Sequence, residues 1–144
     1  MTIVRYFNIL KSIYFILEKQ GGMPQDRLSI VGMTFHAHHG LEEHEIEFGQ
    51  RFDVDVEMLL DTSKAAATDH LRDTVDVRQV YKDINKIVMT QRFYLIEALS
   101  QKVANVMLEK YQNINQVTVR VRKPVAPLGG LTNGTQIEIT RSRA

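Results

Sequence analysis

The stretch from Gln50 to Asp61 constrains the fold most. Phe52, Val54, Val56, Met58 and Leu60 fall on alternate positions, while Asp53, Asp55, Glu57 and Asp61 occupy the intervening phase. Strict period two predicts a half-buried β-strand, with one face that another layer must cover. Residues 27–36 alternate more loosely (Leu28, Ile30, then Met33, Phe35) and predict a second strand ahead of it. Val117, Val119 and Val121 alternate with Thr118, Arg120 and Arg122 as a third, and Ile137 and Ile139 mark a fourth. A Pro/Gly-rich loop, Pro124 to Gly134, separates these last two.

Two helical patterns lie between the strand pairs. Val77, Val80, Tyr81, Ile84, Ile87 and Val88 make one apolar stripe, and Asp76 with Gln79 resembles a capping box at its start. From about Tyr94 to Tyr111, Leu95, Leu99, Val103, Val106 and Met107 make another. The order strand, strand, helix, helix, strand, strand predicts an α+β domain, a four-stranded antiparallel sheet with two helices on one face. The opposite face is acidic on the second strand and basic on the third. Such a sheet leaves two edges open, and edge-to-edge assembly into a multi-subunit β-barrel would close them.

Composition narrows the function classes. A chain of 144 residues is one domain with a sizeable core, and a formal net charge of +1 calls for neither nucleic acid nor an anionic membrane. The absence of cysteine excludes disulfides, thiolate zinc sites and cysteine nucleophiles. Residues 1–22 differ from the rest. Met1 to Leu17 is apolar, but Arg5 and Lys11 interrupt it and it is short for a membrane span. It reads as an extension ahead of a domain that runs over 23–144 from Met23, or as a weak amphipathic anchor. A cytoplasmic location is the expectation.

Three charged residues stand beside breaks in regular structure. Glu97 lies in the first turn of the second helix, off its apolar stripe, where the helix dipole favours an acid for structural reasons alone. The same carboxylate suits a bidentate grip on an N–C–NH2 edge, as in guanine or a pterin. Lys123 ends a strand before Pro124, either as a solvated strand end or as a proton donor to a ring nitrogen. Glu45 sits among Glu42, Glu43 and Glu47, and a solvated acidic loop accounts for it. His36, His38 and His39 invite a zinc site, but His44 and His70 stand at no ligand spacing, so no metal is expected. Neither a phosphate-cradling loop nor a nucleophilic serine arrangement is legible.

Taken together the residues resemble the dihydroneopterin aldolase family over about 27–142. The resemblance rests on Gly32-Met33-x-Phe35, His39-Gly40, Gly49-Gln50-x-Phe52-x-Val54-Asp55 and Ala65-Ala66. It continues through Thr68-Asp69, Asp73-Thr74-Val75, Leu95-Ile96-Glu97 and Val119-x-Val121-x-Lys123-Pro124. It implies the tunnelling fold, assembled as tetramers or octamers with active sites at subunit interfaces. It also implies a retro-aldol cleavage of 7,8-dihydroneopterin with no Schiff base, metal or cofactor. On this resemblance Lys123 and Glu45 are catalytic, Glu97 anchors the pterin, and backbone groups around Leu41, Val75 and Ile96 line the ring pocket. One position departs: Val77 stands where the family carries a tyrosine that crosses the subunit interface to protonate the enol. Tyr81, one turn on, is a core residue by its stripe, and Asp76 a cap. Val77 therefore opens two other outcomes, an epimerase or a pterin oxygenase, beside a pterin-binding scaffold without catalysis.

Overall fold

The computed structural model describes residues 3–11 and 25–143. Residues 3–11 are helical (α1). The boundary expected near Met23 lies outside the described residues. The domain proper runs β1 (Asp26–Ala37), α2 (Glu43–Phe48), β2 (Gln50–Leu60), α3 (Ser63–Thr68), a 3-10 turn (Leu71–Asp73), α4 (Val77–Thr90), α5 (Ile96–Lys110), β3 (Gln116–Lys123) and β4 (Thr135–Ser142). The strands form one antiparallel sheet in the order β1-β2-β3-β4. Helix α4 lies on β1, and α5 lies across β3 and β4.

The alternation on β2 works as its pattern requires. Phe52, Val54, Val56, Met58 and Leu60 are all fully buried, level with Val121, Val119 and Val117 of β3. Each such side chain contributes about 1.5–3 kcal/mol of transfer free energy. The looseness of β1 has a cause. Its pairing with β2 slips between Ile30 and Met33, and Gly32 adopts φ +69° in that bulge. The extra residue changes the side-chain phase, so Leu28 and Ile30 before it and Met33, Phe35 and Ala37 after it all pack on the core.

The outward face carries paired charges. Arg122 grips Asp55 with both terminal guanidinium nitrogens (2.7 and 3.1 Å), and Asp55 also accepts from Gly32 N–H at 2.7 Å. Arg120 bridges Glu57 and Glu138.

Four local expectations need correction. The second long helix begins at Ile96 and ends at Lys110, with Leu95 and Tyr111 as its caps. No capping box closes α4: Asp76 accepts from Arg78 N–H, while the Gln79 amide turns to Asp83 at 3.2 Å. On the α4 stripe only Val80, Ile84, Ile87 and Val88 are buried; Val77 and Tyr81 stand 37% and 43% exposed, Tyr81 stacking on Phe35. The acidic loop around Glu45 is a short helix, α2. Among the described residues no helix is long and apolar enough to cross a membrane.

Candidate active site

Helix α2 folds around Glu45. A reciprocal capping box joins Glu42 and Glu45: the Glu42 side chain takes the third amide of the helix and Glu45 Oε2 takes Glu42 N–H at 3.0 Å. Oε2 also accepts from Leu41 N–H (3.1 Å), and Oε1 from the Gln50 amide (2.7 Å). Only 2% of Glu45 is exposed, so a residue read as solvated is buried. The loop can close this tightly because position 40 is glycine, at φ +139°. A Cβ there would overlap the Glu45 carboxylate.

The remaining partner of Glu45 Oε1 is Lys123 Nζ, in an ion pair whose side chains are 13% and 3% exposed respectively for lysine and glutamate. Lys123 continues the Val117, Val119, Val121 row and therefore points toward the helix side of the sheet, beyond the end of the core. Gly134, at φ +98°, lets the 124–134 loop cross directly over the Lys123 carbonyl, where a Cβ would collide. Burial acts to raise the Glu45 pKa. Lys123, the Glu42 amide and Gln50 outweigh it, and the carboxyl falls to about 2. The pair is thus a fixed carboxylate against an ammonium at neutral pH.

Glu97 approaches the same space from another element. It occupies the first turn of α5, where Leu95 offers no side-chain cap, and it is exposed. Among the described residues no side chain pairs with it. Its dipole position keeps negative charge favourable without a protein partner.

These groups meet in one cleft of about 360 Å³, within the range of about 300–1,000 Å³ common for small-ligand pockets. Leu41, Glu45, Ile96, Glu97 and Lys123 all line it, with Tyr94, Leu95, Pro127 and Leu128 adding apolar wall. Val75 and Val77 do not. Val75 is buried in the core at the turn before α4, and Val77 opens α4 on the surface. The cleft therefore offers an exposed carboxylate and a buried ammonium–carboxylate pair among apolar lining residues. That suits a flat, polar-edged heterocycle whose reacting atoms lie near the amine.

Gln50 and His39 were not singled out as site residues from the sequence. Gln50 follows Gly49 in a segment whose spacing was legible, but its bond to Glu45 is a tertiary contact. Both ring nitrogens of His39 contact backbone atoms, at Val88 and Phe93. His36 on β1 and His38 just beyond it are both exposed, with ring centres 5.8 Å apart, and hydrogen-bond the Phe48 and Ile46 carbonyls, both at 2.9 Å. Among the described residues no three His, Cys, Asp or Glu side chains cluster to hold a metal.

The sequence profile described as FolB, dihydroneopterin aldolase, matches residues 28–140. A dihydroneopterin aldolase of Bacillus subtilis is 38% identical over 119 residues, covering 83% of this chain and 99% of its own. Among solved structures, Escherichia coli dihydroneopterin aldolase in complex with neopterin superposes with a TM-score of 0.74 at 24% identity, covering 81% of this chain and 99% of that one. The Burkholderia enzyme bound to guanine gives a TM-score of 0.68 at 20% identity, over 83% and 93% of the two chains.

Proposed function

The chain belongs to the dihydroneopterin aldolase family, and we propose that the cleft holding Glu97, Lys123 and Glu45 is where it cleaves 7,8-dihydroneopterin. The products are 6-hydroxymethyl-7,8-dihydropterin and glycolaldehyde, a step of folate biosynthesis. One observation carries this assignment: three charged groups from α2, α5 and β3 converge on a single cavity of ligand size.

The Glu97 carboxylate accepts two N–H bonds from the amino-pyrimidine edge of the pterin. This fixes the ring in its plane and sets the side chain toward Lys123. Lys123, directly or through a water, supplies a proton to N5 and makes the adjacent C=N bond an electron sink. The side-chain hydroxyl loses its proton, the carbon–carbon bond breaks, and its electrons move into the ring system to leave an enol and the aldehyde. Protonation of the enol carbon and loss of the N5 proton complete the exchange. With its carboxyl at about 2, Glu45 neither donates a proton near neutrality nor takes one readily. Its part is to aim Lys123 through their ion pair, and to order the water or hydroxyl beside it.

Val77 leaves the last protonation without a tyrosine, which favours a second outcome. The enol adds back to glycolaldehyde after the aldehyde has turned its other face, re-forming the carbon–carbon bond as an epimer, or it is oxidised by molecular oxygen. Incubating purified protein with 7,8-dihydroneopterin, with and without oxygen, and identifying the products separates these. Glycolaldehyde supports the aldolase, a monapterin isomer the epimerase, and oxygen uptake the oxygenase. Tight pterin binding with no product, unchanged by Lys123→Ala, means a scaffold and ends the catalytic reading. The enzyme works in the cytoplasm as a homo-oligomer, tetramer or octamer, whose barrel closes the open edges of β1 and β4. In that assembly a neighbouring copy brings Val75 and Val77 to the cleft that Leu41, Ile96 and Glu97 line. Both statements rest on family membership and strand order.

A further inference from the structure

His39 continues the core-facing row of β1 beyond Ala37, and its ring is 2% exposed between Phe52 and Phe93, with ring centres 5.1 and 5.5 Å away. Its Nε2 lies 3.0 Å from the Val88 carbonyl, in the last turn of α4. That carbonyl is among the four at a helix end that have no partner within the helix. Its Nδ1 lies 3.1 Å from Phe93 N–H, in the connection between α4 and α5. A carbonyl only accepts and an amide N–H only donates, so the ring is held as the neutral Nε2–H tautomer. Gly40 N–H returns a bond to the Phe93 carbonyl at 3.0 Å, which locks the two segments side by side.

Both segments lead into the lining of the cleft. One carries Leu41 and Glu42, whose amides hold the Glu45 carboxylate. The other runs through Leu95 and Ile96 to Glu97. We infer that His39 is a positioning residue, a neutral imidazole clamp that sets the distance between the Glu97 grip and the Lys123–Glu45 pair, and that its protonation releases substrate. The inference rests on the functional reading above.

An added proton would put an Nδ1–H donor against the Phe93 N–H donor. The titratable groups acting on the ring are Arg92 on the connection and His38, its neighbour in the chain just beyond β1. β2 presents Phe52 and α4 presents a carbonyl, neither of which titrates. Burial first, then the electrostatic effect of His38 and Arg92, hold the imidazole below its ordinary 6.5 against the raising effect of the Val88 hydrogen bond. The clamp is therefore intact above that value and is lost as pH falls through the lowered one.

The test pairs equilibrium binding of neopterin with imidazole nitrogen NMR across pH 4.5 to 8. The expected result is an Nε2–H signal at neutral pH and a Kd that weakens about tenfold per pH unit below the His39 midpoint. KM for 7,8-dihydroneopterin rises with it more than kcat falls. His39→Asn, which keeps an acceptor for Phe93 but cannot titrate, removes that acid limb; His38→Asn leaves it in place. A Kd that titrates away from the His39 midpoint, or a limb that survives in His39→Asn, overturns the inference. Should the variant not fold, coincidence of the two wild-type titrations still decides. Failure to bind neopterin at any pH sinks the functional reading and this inference with it. Binding without the coupled limb sinks only the role of His39.

Discussion

At the residue scale, the three charged groups differ in what they cost to change. Glu97 is exposed and without a protein partner among the described residues, so Glu97→Gln leaves stability within about 0.5 kcal/mol. On the proposed reading it removes the charge from two hydrogen bonds to the pterin, each worth about 1.5–3 kcal/mol when charged. KM should rise roughly 10- to 100-fold, with the denaturation midpoint unmoved; steady-state kinetics and urea unfolding check both. Lys123 is the reverse case. Lys123→Ala strands a buried carboxylate and costs about 3–5 kcal/mol of stability, while turnover falls about 10²–10⁴-fold. Equal stability in the variant would mean that the pair is solvated. The Glu45 carboxyl, depressed from 4.5 to about 2, stabilises the fold fully above pH 4.5, and that contribution is lost as pH falls through 2. Urea midpoints should drop across that window in the wild type and much less in Glu45→Gln. Burial of Glu45 was not legible from its neighbours, because a run of acids looks solvated until Lys123, some eighty positions later, is folded against it.

At the element scale, legibility followed the range of the interaction that decides each element. β2 and β3 could be read directly, since alternating burial is written locally in Phe52 to Leu60 and Val117 to Val121. The phase slip in β1 was visible as a three-residue step from Ile30 to Met33, although the bulge that explains it needs β2 as a partner. Helix α2 was missed because its apolar pattern is meagre; it is held by the Glu42–Glu45 box and by the carbonyl bonds of His36 and His38. The start of α4 was placed correctly but for a different bond. Asp76 caps through the Arg78 amide at 3.0 Å and pairs with its guanidinium, while the Gln79 side chain turns away to Asp83. Asp76→Ala should therefore cost about 1 kcal/mol and Gln79→Ala much less, as read by chemical denaturation. The opposite order would restore the capping box that the sequence suggested.

At the scale of the whole molecule, the sheet carries its own argument for assembly. β1 and β4 each pair on one side only, and Val77 stands on the surface away from the cleft of its own chain. A site that uses Val77 must then take it from a neighbouring copy. Two variants make this measurable: Lys123→Ala removes the amine that the proposed site needs, and Val77→Asp places a charge on the surface that a neighbouring copy would contribute. Each alone should be nearly inactive. If every site joins the 123 position of one copy to the 77 position of the next, random reassembly of an equal mixture leaves about one quarter of the sites with both natural residues. Glycolaldehyde release should then return to about a quarter of the wild-type rate by the same count. Sites completed within one chain would recover nothing, because each chain carries one of the two defects into its own cleft.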